Sequence, residues 1–382
     1  MKNLYKNKKL ICTIISDTPY AKNKNGDLVG LGPTVEEIDQ LSSLFCQIYH
    51  FAPLEKRKPP LSFNKHNKNN ITLIPMIPSG GKYIFSKLKH VFLFPLHLLR
   101  LNPILKKTEI IHFRAPSGFG VLFLPWLYVF WKKKIWIKYA GSWSSNTAPI
   151  TYKFQRWLLL RFPKNAVITI NNTTKHLANN FYQFRNPCFE EILIKTNKPL
   201  VQKKKFNEDL NLVFVGRVEE NKGVDELFKV FHKIGNMENI NSLKVIGESK
   251  KKRFYEEKAR MSSPKILMLG ALNREEIFQI YKESHAIILL SKSEGFPKVI
   301  MEAGVFGCVP IVSKFSGASE IIKHGTDGFI MDSFHGAYNF SDFQSLFEDL
   351  EALKVCSMNI FEKSHSFTYE KYLQKIENAI LY

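Results

Sequence analysis

The stretch HAIILLSKSEGFPKVIMEAGVFGCVPIVS, residues 285–313, predicts a strand, a loop, a helix and a second strand in succession. The apolar run at 285–291 is typical of a buried strand, and Pro297 fits the first turn of the following helix. The run at 309–313 predicts the next strand. Continuous apolar strands separated by helices are typical of a parallel sheet with helices on both faces.

The same alternation of strands and helices extends along the whole chain of 382 residues, which is longer than one hydrophobic core usually needs. Two doubly wound α/β domains are therefore expected, with ligands in the cleft at the carboxyl ends of the strands. We predict an N-terminal domain over 1–198 and a C-terminal domain over 206–366. A polar, charged stretch at about 195–209 is expected to join them.

Composition limits the possible classes of protein. Five cysteines without paired spacing argue against a disulfide framework or a zinc site and suit a reducing cytosol. The apolar run at 10–15 is too short for a secretory signal, and 121–131 is too short for a membrane span. Residues 1–200 carry 30 basic and 9 acidic side chains, whereas 201–382 carry 25 of each. The asymmetry indicates different partners for the two halves. Lysine-rich codon usage is the alternative, which explains a high lysine count but explains the balanced second half poorly.

Two carboxylates in the opening stretch, Glu294 and Glu302, have seven residues between them. Glu294 is expected at the carboxyl edge of its strand, and Glu302 about 7 Å along the helix axis. GRVEENKGVDEL, 216–227, follows another strand and opens a helix, where an anion is favoured, and Arg217 and Lys222 add two cations. Two sugar rings flanking a diphosphate fit this layout. The alternatives are a surface ion pair at Glu302 and a plain turn with solvated charges.

A family resemblance rests on these motifs together. SEGFPKVIMEAGVFGCVPIVSKFSGASEIIKHGTDGFI, 293–330, resembles the nucleotide-sugar domain of family 4 glycosyltransferases of the bacterial surface-polysaccharide type, including a Gly-x-x-Glu turn at 317–320. LVFVGRVEENKGVDELFKVF, 212–231, is similar to the diphosphate loop of that family. The resemblance implies a GT-B fold with two Rossmann-like domains facing across a cleft. It also implies that a terminal helix, 367–382, crosses back to the first domain.

The resemblance implies a role for each matching residue. Arg217 and Lys222 would bind the diphosphate and stabilise the departing nucleotide as catalytic groups, with Glu294 beside the transferred sugar. Glu302 would hold the ribose hydroxyls. The other implied donor-binding residues are Gly32, Gly216, Gly247, Gly270, Ala271, Leu272, Gly295, Phe296 and Pro297. Transfer with retention of configuration, without metal or cofactor, is what the resemblance implies, and no Asp-x-Asp pair is present.

The acceptor side matches the family less closely. EIIHFRAPSGFG, 109–120, has the look of the acceptor-domain strand and loop, which makes His112 and Arg114 candidates. Many members carry a histidine at the end of the next strand, where this chain has Tyr139 and Ala140, so Ser142 and Trp143 are further candidates. A packed strand histidine is the alternative for His112. No role is assigned to the other first-half histidines, namely His50, His66, His90 and His97.

The expected function is retaining transfer of a sugar from a nucleotide diphosphate sugar to a glycan or lipid-linked acceptor in cell-surface polysaccharide or lipopolysaccharide synthesis. The alternatives are a GT-B epimerase or hydrolase acting on nucleotide sugars, and a non-catalytic basic protein that binds polyanions. No nucleic-acid motif is present, so nucleic acid is not an expected partner.

A peripheral position on the inner face of the cell membrane is expected from residues 82–107. This segment interleaves large apolar side chains with Lys82, Lys87, Lys89, Arg100, Lys106 and Lys107. Such a segment can lie on an anionic bilayer. The alternative is an ordinary domain helix, and Pro95 and Pro103 argue against one uninterrupted helix in either case.

Overall fold

The computed structural model describes residues 10–78, 84–141, 143, 148–162, 166–171, 179–207, 209–292, 294, 296–314, 317–334 and 337–381, with backbone only for 84–88, 319, 320 and 334. The chain divides into two compact units. The first unit comprises Met1–Arg185 with Tyr372–Tyr382, and the second unit comprises Asn186–Lys371.

The first unit is built on a parallel sheet with a short antiparallel extension. Its strands are β1 (Ile11–Ile15), β2 (Tyr20–Lys22), β3 (Leu28–Leu31), β4 (Gln47–Glu55), β5 (Phe63–Lys65), β6 (Ile71–Met76), β7 (Ile110–Ala115), β8 (Lys134–Tyr139), β9 (Ala166–Ile170) and β10 (Phe181–Gln183). The parallel strands follow the order β6-β4-β1-β7-β8-β9-β10, and β2, β3 and β5 extend the sheet beyond β4.

Helices cover both faces of this sheet. They are α1 (Gly32–Leu41), α2 (Ile84–Leu105), α3 (Gly120–Phe130) and α4 (Ile150–Leu159). One core packs α2, α3 and α4 against the sheet, and the other packs α1 together with Tyr372, Ile376 and Ile380 of the terminal segment. These apolar side chains of the terminal segment place it in the core of the first unit.

The second unit has one parallel six-stranded sheet. Its strands are β11 (Leu210–Val215), β12 (Ile240–Ile246), β13 (Ile266–Gly270), β14 (Ala286–Leu289), β15 (Val309–Ser313) and β16 (Phe329–Met331), in the order β13-β12-β11-β14-β15-β16. A small hairpin joins β17 (Ser333–Phe334) to β18 (Ala337–Tyr338). The helices are α5 (Glu191–Lys203), α6 (Val224–Ile234), α7 (Lys252–Ser262), α8 (Arg274–Glu283), α9 (Lys298–Gly304), α10 (Ala318–Ile321), α11 (Phe340–Glu348), α12 (Leu350–Ser364) and α13 (Tyr369–Ile376), which contains the unit boundary.

Local sequence explains where these elements begin. The Asn273 side chain accepts a hydrogen bond from the Glu276 N–H at 3.0 Å, and Glu276 Oε2 accepts one from the Asn273 N–H at 2.8 Å, which caps α8 reciprocally. β14 and β15 are buried at every residue, as continuous apolar runs in a parallel sheet should be. The prediction of two doubly wound parallel sheets is confirmed.

Several boundaries differ from the prediction. The unit boundary lies at 185/186 rather than near 198, because the apolar side of α5 packs into the core of the second unit. The predicted joining stretch is largely this helix. The strands β2, β3 and β5, of only three or four residues each, were not predicted.

Helix α2 is continuous through Pro95 and Pro103, contrary to the expectation of an interruption. Each proline removes a backbone hydrogen bond. The helix nevertheless buries His97, Leu101 and Leu105, and this packing offsets the loss. Tertiary contacts therefore override the local signal in this segment.

Candidate active site

The carboxyl edge of the second unit has a topological switch point between β11 and β14, where the strand order reverses. Ligands of doubly wound sheets bind at such a point, outside the carboxyl ends of the strands. Residues 216–223 follow β11, and residues 290–294 follow β14. The structure therefore brings the two predicted loops to neighbouring strand ends.

These two loops are tied together through backbone contacts. Gly223 adopts a φ of +68°, and a Cβ atom there would lie 1.9 Å from the carbonyl oxygen of Leu290. The Lys292 N–H donates to the Asn221 carbonyl at 3.1 Å, and Lys292 Nζ lies 2.6 Å from Glu220 Oε1. Only glycine permits this close approach at position 223.

Lys222 and Glu294 form an ion pair across the two loops. The side chains are 19% and 17% exposed, and Lys222 Nζ contacts Glu294 Oε1. The Ser291 hydroxyl donates to the same oxygen at 3.2 Å. Sequence reasoning had placed Lys222 on a diphosphate and Glu294 on a sugar, and had missed Ser291. The pair joins a cation and an acceptor-only carboxylate at the switch point, where low exposure limits screening.

Arg217 lies in the same loop as Lys222 but has a different partner. Its side chain is 69% exposed, and its guanidinium Nη2 lies 3.1 Å from Glu219 Oε1. It lines a cavity of about 680 Å³ bordered by α6 and α7, together with Tyr255 and Lys258. The structure thus positions Arg217 at the end of β11 while pairing it with Glu219 rather than with Glu294.

Glu302 is the fifth residue of α9, as predicted, and is mostly buried with 19% exposure. Arg274 Nη2 lies 3.6 Å from Glu302 Oε1 and also donates to the Cys188 carbonyl at 2.5 Å. Burial, with a further contribution from Glu302, holds the pKa of Tyr281 well above its usual value. Glu302 therefore forms an ion pair, as the alternative interpretation of the sequence expected. This pair is largely shielded from solvent rather than lying at the surface. Arg274 carries no sequence signal that would have identified it.

Three glycines shape the neighbouring strand ends. Gly216, Gly247 and Gly270 lie at the ends of β11, β12 and β13. Gly247 has a φ of +146°, and a Cβ there would lie 1.7 Å from the Gly216 carbonyl oxygen, whereas Gly270 faces open space. The Gly247 N–H donates to the Gly270 carbonyl at 2.7 Å. The ends of β13, β12, β11 and β14 are adjacent and together span about 14 Å, so an elongated ligand would meet an edge lined by backbone atoms.

The remaining donor candidates are divided between this edge and the core. Ala271 and Leu272 directly follow β13, and Leu272 packs partly on the core. Pro297 is the residue before α9, and its carbonyl accepts from the Ile300 N–H at 3.1 Å. Phe296 stacks on Phe367 at a centroid distance of 5.6 Å. Gly295, Ser142 and the side chain of Glu320 lie outside the described residues.

His112 is a core residue, which corrects its proposed place on the acceptor side. It is fully buried in β7 and stacks on Trp136 with ring centroids 3.6 Å apart. Its Nδ1 lies 3.4 Å from the Trp136 carbonyl oxygen. Burial holds the pKa of His112 well below its usual value, so the ring is neutral. The packed-histidine alternative describes it correctly.

Arg114 is also committed to a structural role, in a buried network around Glu37. Arg114 donates to both Glu37 oxygens at 3.0 and 3.3 Å, and Lys138 Nζ donates to Glu37 Oε1 at 2.6 Å. The Tyr372 hydroxyl donates to the same oxygen at 2.9 Å. Glu37 is 3% exposed. The network ties β7, β8, α1 and the terminal segment together, so this sequence candidate is corrected as well.

The other candidates in the first unit have packing partners. Trp143 makes edge contacts with Tyr139 and Phe181 at 5.1 and 5.3 Å. Burial raises the pKa of Tyr139 to about 12. Gly32 begins α1, where a Cβ would lie 2.7 Å from the Ser62 carbonyl oxygen, and Gly30 packs on Tyr20 in the same way. Close packing accounts for both glycines.

Sequence reasoning missed a buried polar chain in the first unit that includes two of the unassigned histidines. It consists of Ser16, His50, Tyr20, His66 and Asp39, which come from five separate segments. No motif spacing connects these positions, so only the tertiary structure reveals the chain. Among the described residues, no group of three or more His, Cys, Asp or Glu side chains is arranged to hold a metal ion.

With this geometry established, the family comparison can be stated. The model for glycosyl transferases group 1 matches residues 197–352. This range covers most of the second unit, whose domain is therefore similar to that family. The predicted resemblance is confirmed over this domain, which contains both the Lys222–Glu294 pair and Glu302.

Curated relatives share parts of the chain. An uncharacterised glycosyltransferase of Methanocaldococcus jannaschii is 28% identical over 43% of this chain and 43% of its own length. The capsular polysaccharide biosynthesis glycosyltransferase CapM of Staphylococcus aureus is 25% identical over 50% and 49%. An α-1,4-N-acetyl-D-galactosaminyltransferase of Campylobacter jejuni, named for an undecaprenol diphosphate-linked glycan, is 26% identical over 33% and 35%. The chain spans less than half the length of each of these relatives.

Solved structures resemble nearly the whole chain. Alr3699/HepE of Anabaena, in complex with UDP, superposes with a TM-score of 0.69 over 97% of this chain and 99% of its own, at 14% identity. Identity at this level shows the fold alone. The predicted GT-B fold class is confirmed.

Proposed function

We propose that this chain transfers a sugar from a nucleotide diphosphate sugar to a hydroxyl group of a glycan acceptor in bacterial surface-polysaccharide synthesis. The observation that carries the proposal is the partly buried Lys222–Glu294 pair at the switch point of a group 1 domain. A cation and a carboxylate at that point match the two chemically different ends of such a donor, its diphosphate and its sugar hydroxyls.

Donor binding would exchange the partner of Lys222. The Lys222 ammonium would leave Glu294 for a phosphate oxygen and stabilise the negative charge that develops on the departing nucleotide. Glu294, still held by Ser291, would then accept hydrogen bonds from hydroxyls of the transferred sugar. Arg217 would reach the diphosphate by leaving Glu219, which its exposed position permits. Glu302, fixed by Arg274, would accept the ribose hydroxyls.

Retention of configuration and independence of metal are part of the proposal. Lys222 and Arg217 supply two positive charges where the leaving diphosphate would develop its charge, which is the task that a divalent cation performs in other transferases. The nucleotide diphosphate sugar is a substrate, and the proposed reaction needs no further cofactor.

A lipid-linked acceptor is the proposed substrate class on the other side. The Campylobacter relative is named for an undecaprenol diphosphate-linked glycan, and CapM is named for capsular polysaccharide synthesis. Such acceptors lie in a membrane. We therefore include an anionic membrane surface among the partners, with the chain on the inner face of the cell membrane.

Two exposed apolar stripes of the first unit support membrane contact. On α2, Phe92, Leu96 and Leu99 are 80%, 38% and 71% exposed and recur at helical spacing. On α4, Ile150, Phe154 and Trp157 are 84%, 36% and 49% exposed at the same spacing. Large apolar side chains exposed in this way mark interaction surfaces. The α4 stripe was not predicted from sequence.

Basic residues accompany both stripes. Lys89, Arg100, Lys106 and Lys107 lie on or next to α2 and are exposed, whereas Lys82 and the Lys87 side chain lie outside the described residues. Beyond the end of α4, the Arg161 guanidinium lies 4.1 Å from the Trp157 ring centroid. Cations beside apolar residues suit an interface with anionic lipid, at about 1 kcal/mol per basic residue. Among the described helices, none is long and apolar enough to cross a bilayer.

Cosedimentation with liposomes tests the membrane proposal. We expect binding to anionic but not zwitterionic vesicles, lost at about 0.5 M salt because screening shortens the Debye length. Phe92→Ser with Trp157→Ser should reduce binding at least tenfold. Phe254→Ser, which changes an aromatic side chain of the second unit that is 51% exposed, is the matched control. Binding that ignores lipid charge and salt would contradict the proposal.

Turnover of a panel of UDP, GDP and ADP sugars tests the enzymatic proposal. We expect one nucleotide sugar to be consumed, and transfer to a polyprenyl diphosphate-linked glycan to form the same anomer as the donor by NMR, with EDTA without effect. Epimerisation of the donor would favour the epimerase alternative. Polyanion binding without turnover of any nucleotide sugar would favour the non-catalytic alternative.

A further inference from the structure

The first unit has its own switch point, between β1 and β7, which is the counterpart of the one that holds Lys222 and Glu294. Asp17 lies two residues beyond the end of β1, and Arg114 is the penultimate residue of β7. Asp17 is exposed, while its neighbours Ser16 and Thr18 are buried. Within the described part of the chain, no side chain donates a hydrogen bond to Asp17. A carboxylate without a side-chain donor among the described residues therefore lies where this fold places ligands.

A buried chain of side chains lies directly beneath this position. The Ser16 hydroxyl is 2.7 Å from His50 Nε2, and His50 Nδ1 is 3.0 Å from the Tyr20 hydroxyl. That hydroxyl is 2.7 Å from His66 Nε2, and His66 Nδ1 is 2.5 Å from Asp39 Oδ1. Four hydrogen bonds thus connect a carboxylate of α1 to the residue that precedes Asp17.

The chemistry of the groups gives these hydrogen bonds one direction when both rings are neutral. The Asp39 carboxylate can only accept, and it also accepts from the Asn67 N–H at 2.9 Å, so His66 Nδ1 carries a proton. His66 Nε2 then accepts from the Tyr20 hydroxyl. The Tyr20 oxygen accepts from His50 Nδ1–H, which leaves His50 Nε2 to accept from Ser16. The Ser16 oxygen remains available to accept the Thr18 N–H at 3.2 Å.

This arrangement fixes the backbone on both sides of Asp17. The Ser16 hydroxyl is hydrogen-bonded to His50, and the backbone N–H of Ser16 donates to the Phe51 carbonyl at 3.1 Å. The Thr18 N–H donates to the Ser16 hydroxyl oxygen. An apolar core would fill the same space without the desolvation cost of five polar side chains. A fully connected polar network can specify one local geometry in return.

We propose that Asp17 binds a hydroxyl group of the glycan acceptor, and that the chain Asp39–His66–Tyr20–His50–Ser16 positions it. This inference rests on the proposed function and names the acceptor-side residue that the sequence left open. Asp17 is the binding residue, and the members of the chain are positioning residues. Desolvation by the surrounding protein raises the pKa of the Asp17 carboxyl group, while a hydrogen bond from its own backbone N–H and the charge of Arg114 act in the opposite direction.

Hydrolysis of the nucleotide sugar tests Asp17 without knowledge of the natural acceptor, because water takes the place of the acceptor hydroxyl. The water oxygen forms a bond to the anomeric carbon, and the bond between that carbon and the diphosphate oxygen breaks. The water proton passes to the leaving diphosphate. Asp17→Ala should lower kcat by 10- to 100-fold, as expected for one hydrogen bond to a charged group. Asp17→Asn retains one accepting oxygen, so its kcat should fall less than that of Asp17→Ala. KM for the nucleotide sugar should stay within twofold.

Tyr20→Phe tests the positioning chain, because it removes only the hydroxyl that links the two histidines. We expect a three- to tenfold lower kcat with an unchanged KM. Combined with Asp17→Ala, it should add little, since both changes act through one residue. Thr13→Val is the matched control: it removes a buried hydroxyl from β1, the strand that leads to Asp17, where Thr13 is hydrogen-bonded to Thr108 at 2.6 Å. It should change thermal stability to a similar extent but leave kcat within twofold.

Nitrogen-15 NMR of labelled histidines measures the tautomers in the positioning chain in the absence of ligand. His50 should carry its proton on Nδ1, with Nε2 unprotonated. A proton on His50 Nε2 would contradict the proposed direction. An Asp17→Ala kcat within twofold of wild type would overturn the role of Asp17, as would a wild type that binds nucleotide diphosphate but never hydrolyses its sugar. Absence of both nucleotide binding and turnover in the wild type would instead overturn the proposed function.

Discussion

The two units share the same central strand order, β6-β4-β1-β7-β8-β9 in the first and β13-β12-β11-β14-β15-β16 in the second, yet they build their carboxyl edges differently. In the second unit, the polar residues at the switch point come from two loops that directly follow strands. In the first unit, the polar residues around the exposed Asp17 belong to buried networks drawn from distant segments. The polar residues of one edge thus come from local sequence motifs, whereas those of the other edge are brought together by tertiary contacts.

The electrostatic state of the two edges differs in the same way. Lys222 and Glu294 keep partial exposure, so they can exchange partners with a ligand. Glu37, with Arg114 and Lys138 around it, is almost fully buried, so these charges serve the structure of the unit. A buried carboxylate between two cations cannot be removed without leaving both cations uncompensated.

Among the substitutions that compare the two units, Glu37→Ala is expected to have the largest effect on stability. It should lower the free energy of unfolding of the first unit by about 3–5 kcal/mol, because Arg114 and Lys138 would remain buried without their carboxylate. Hydrogen exchange resolved by unit measures this change. Glu55→Ala, which removes a more exposed carboxylate paired with Arg57, should cost at most about 1 kcal/mol. Equal effects would mean that the buried network does not stabilise the unit.

The strand-end glycines offer a matched pair in the second unit. Gly247→Ala should destabilise by at least about 3 kcal/mol, because its Cβ would overlap the Gly216 carbonyl and its φ is unfavourable for other residues. Gly270→Ala also has a positive φ but open space, so about 1–2 kcal/mol is expected. Chemical denaturation followed in the second unit measures both. Similar losses would show that close packing of β11 and β12 is not what requires Gly247.

Acid should weaken the first unit more than the second. Burial holds the pKa of His50 and His112 well below the usual value and lowers that of His97 to about 4, whereas in the second unit burial lowers the pKa of His285 to about 4. Histidines that are neutral when folded take up protons on unfolding, so stability present above about pH 6.5 is lost as the pH falls towards 4.

Each such group contributes up to about 1.4 kcal/mol per pH unit. His112→Phe should therefore reduce the pH dependence of the first unit between pH 6.5 and 5, as followed by hydrogen exchange at several pH values. An unchanged slope would mean that His112 is protonated in the folded chain.

The sequence predicted the sheets and the positions of the two switch-point loops of the second unit well, because both depend on local patterns. The apolar runs at 285–291 and 309–313 located β14 and β15 within a few residues, and the seven-residue spacing of the two glutamates located Glu294 and Glu302. The acceptor edge was predicted poorly. His112 and Arg114 end a strand in the expected position, but whether a side chain there is buried or free depends on α1 and on Tyr372, which is 258 residues beyond Arg114 in the chain.

The same reason explains the missed residues. Tyr20, His50 and His66 meet only after three separate strand pairings have formed, so no spacing in the sequence relates them. Ser291 adjoins a predicted motif and was identifiable by proximity to Glu294, whereas Arg274 reaches Glu302 only through tertiary packing. Functional residues supplied by one loop are readable from sequence, and those assembled from several elements are not.

The proposed donor site depends most directly on Lys222 as the diphosphate ligand and Glu294 as the sugar ligand. The test is calorimetric binding of the nucleotide diphosphate among UDP, GDP and ADP that most stabilises the protein, together with its nucleoside. We predict that Lys222→Ala weakens diphosphate binding by at least tenfold, about 1.5–3 kcal/mol, with nucleoside binding unchanged. Glu294→Gln should bind the diphosphate equally or up to about tenfold more tightly, because Lys222 loses a competing carboxylate.

Lys292→Ala is the control, since it removes a cation of the same loop that pairs with Glu220, and it should change diphosphate affinity by less than twofold. Equal losses of nucleoside and diphosphate binding in Lys222→Ala, or loss of diphosphate binding in Glu294→Gln, would contradict the assignment of these two residues.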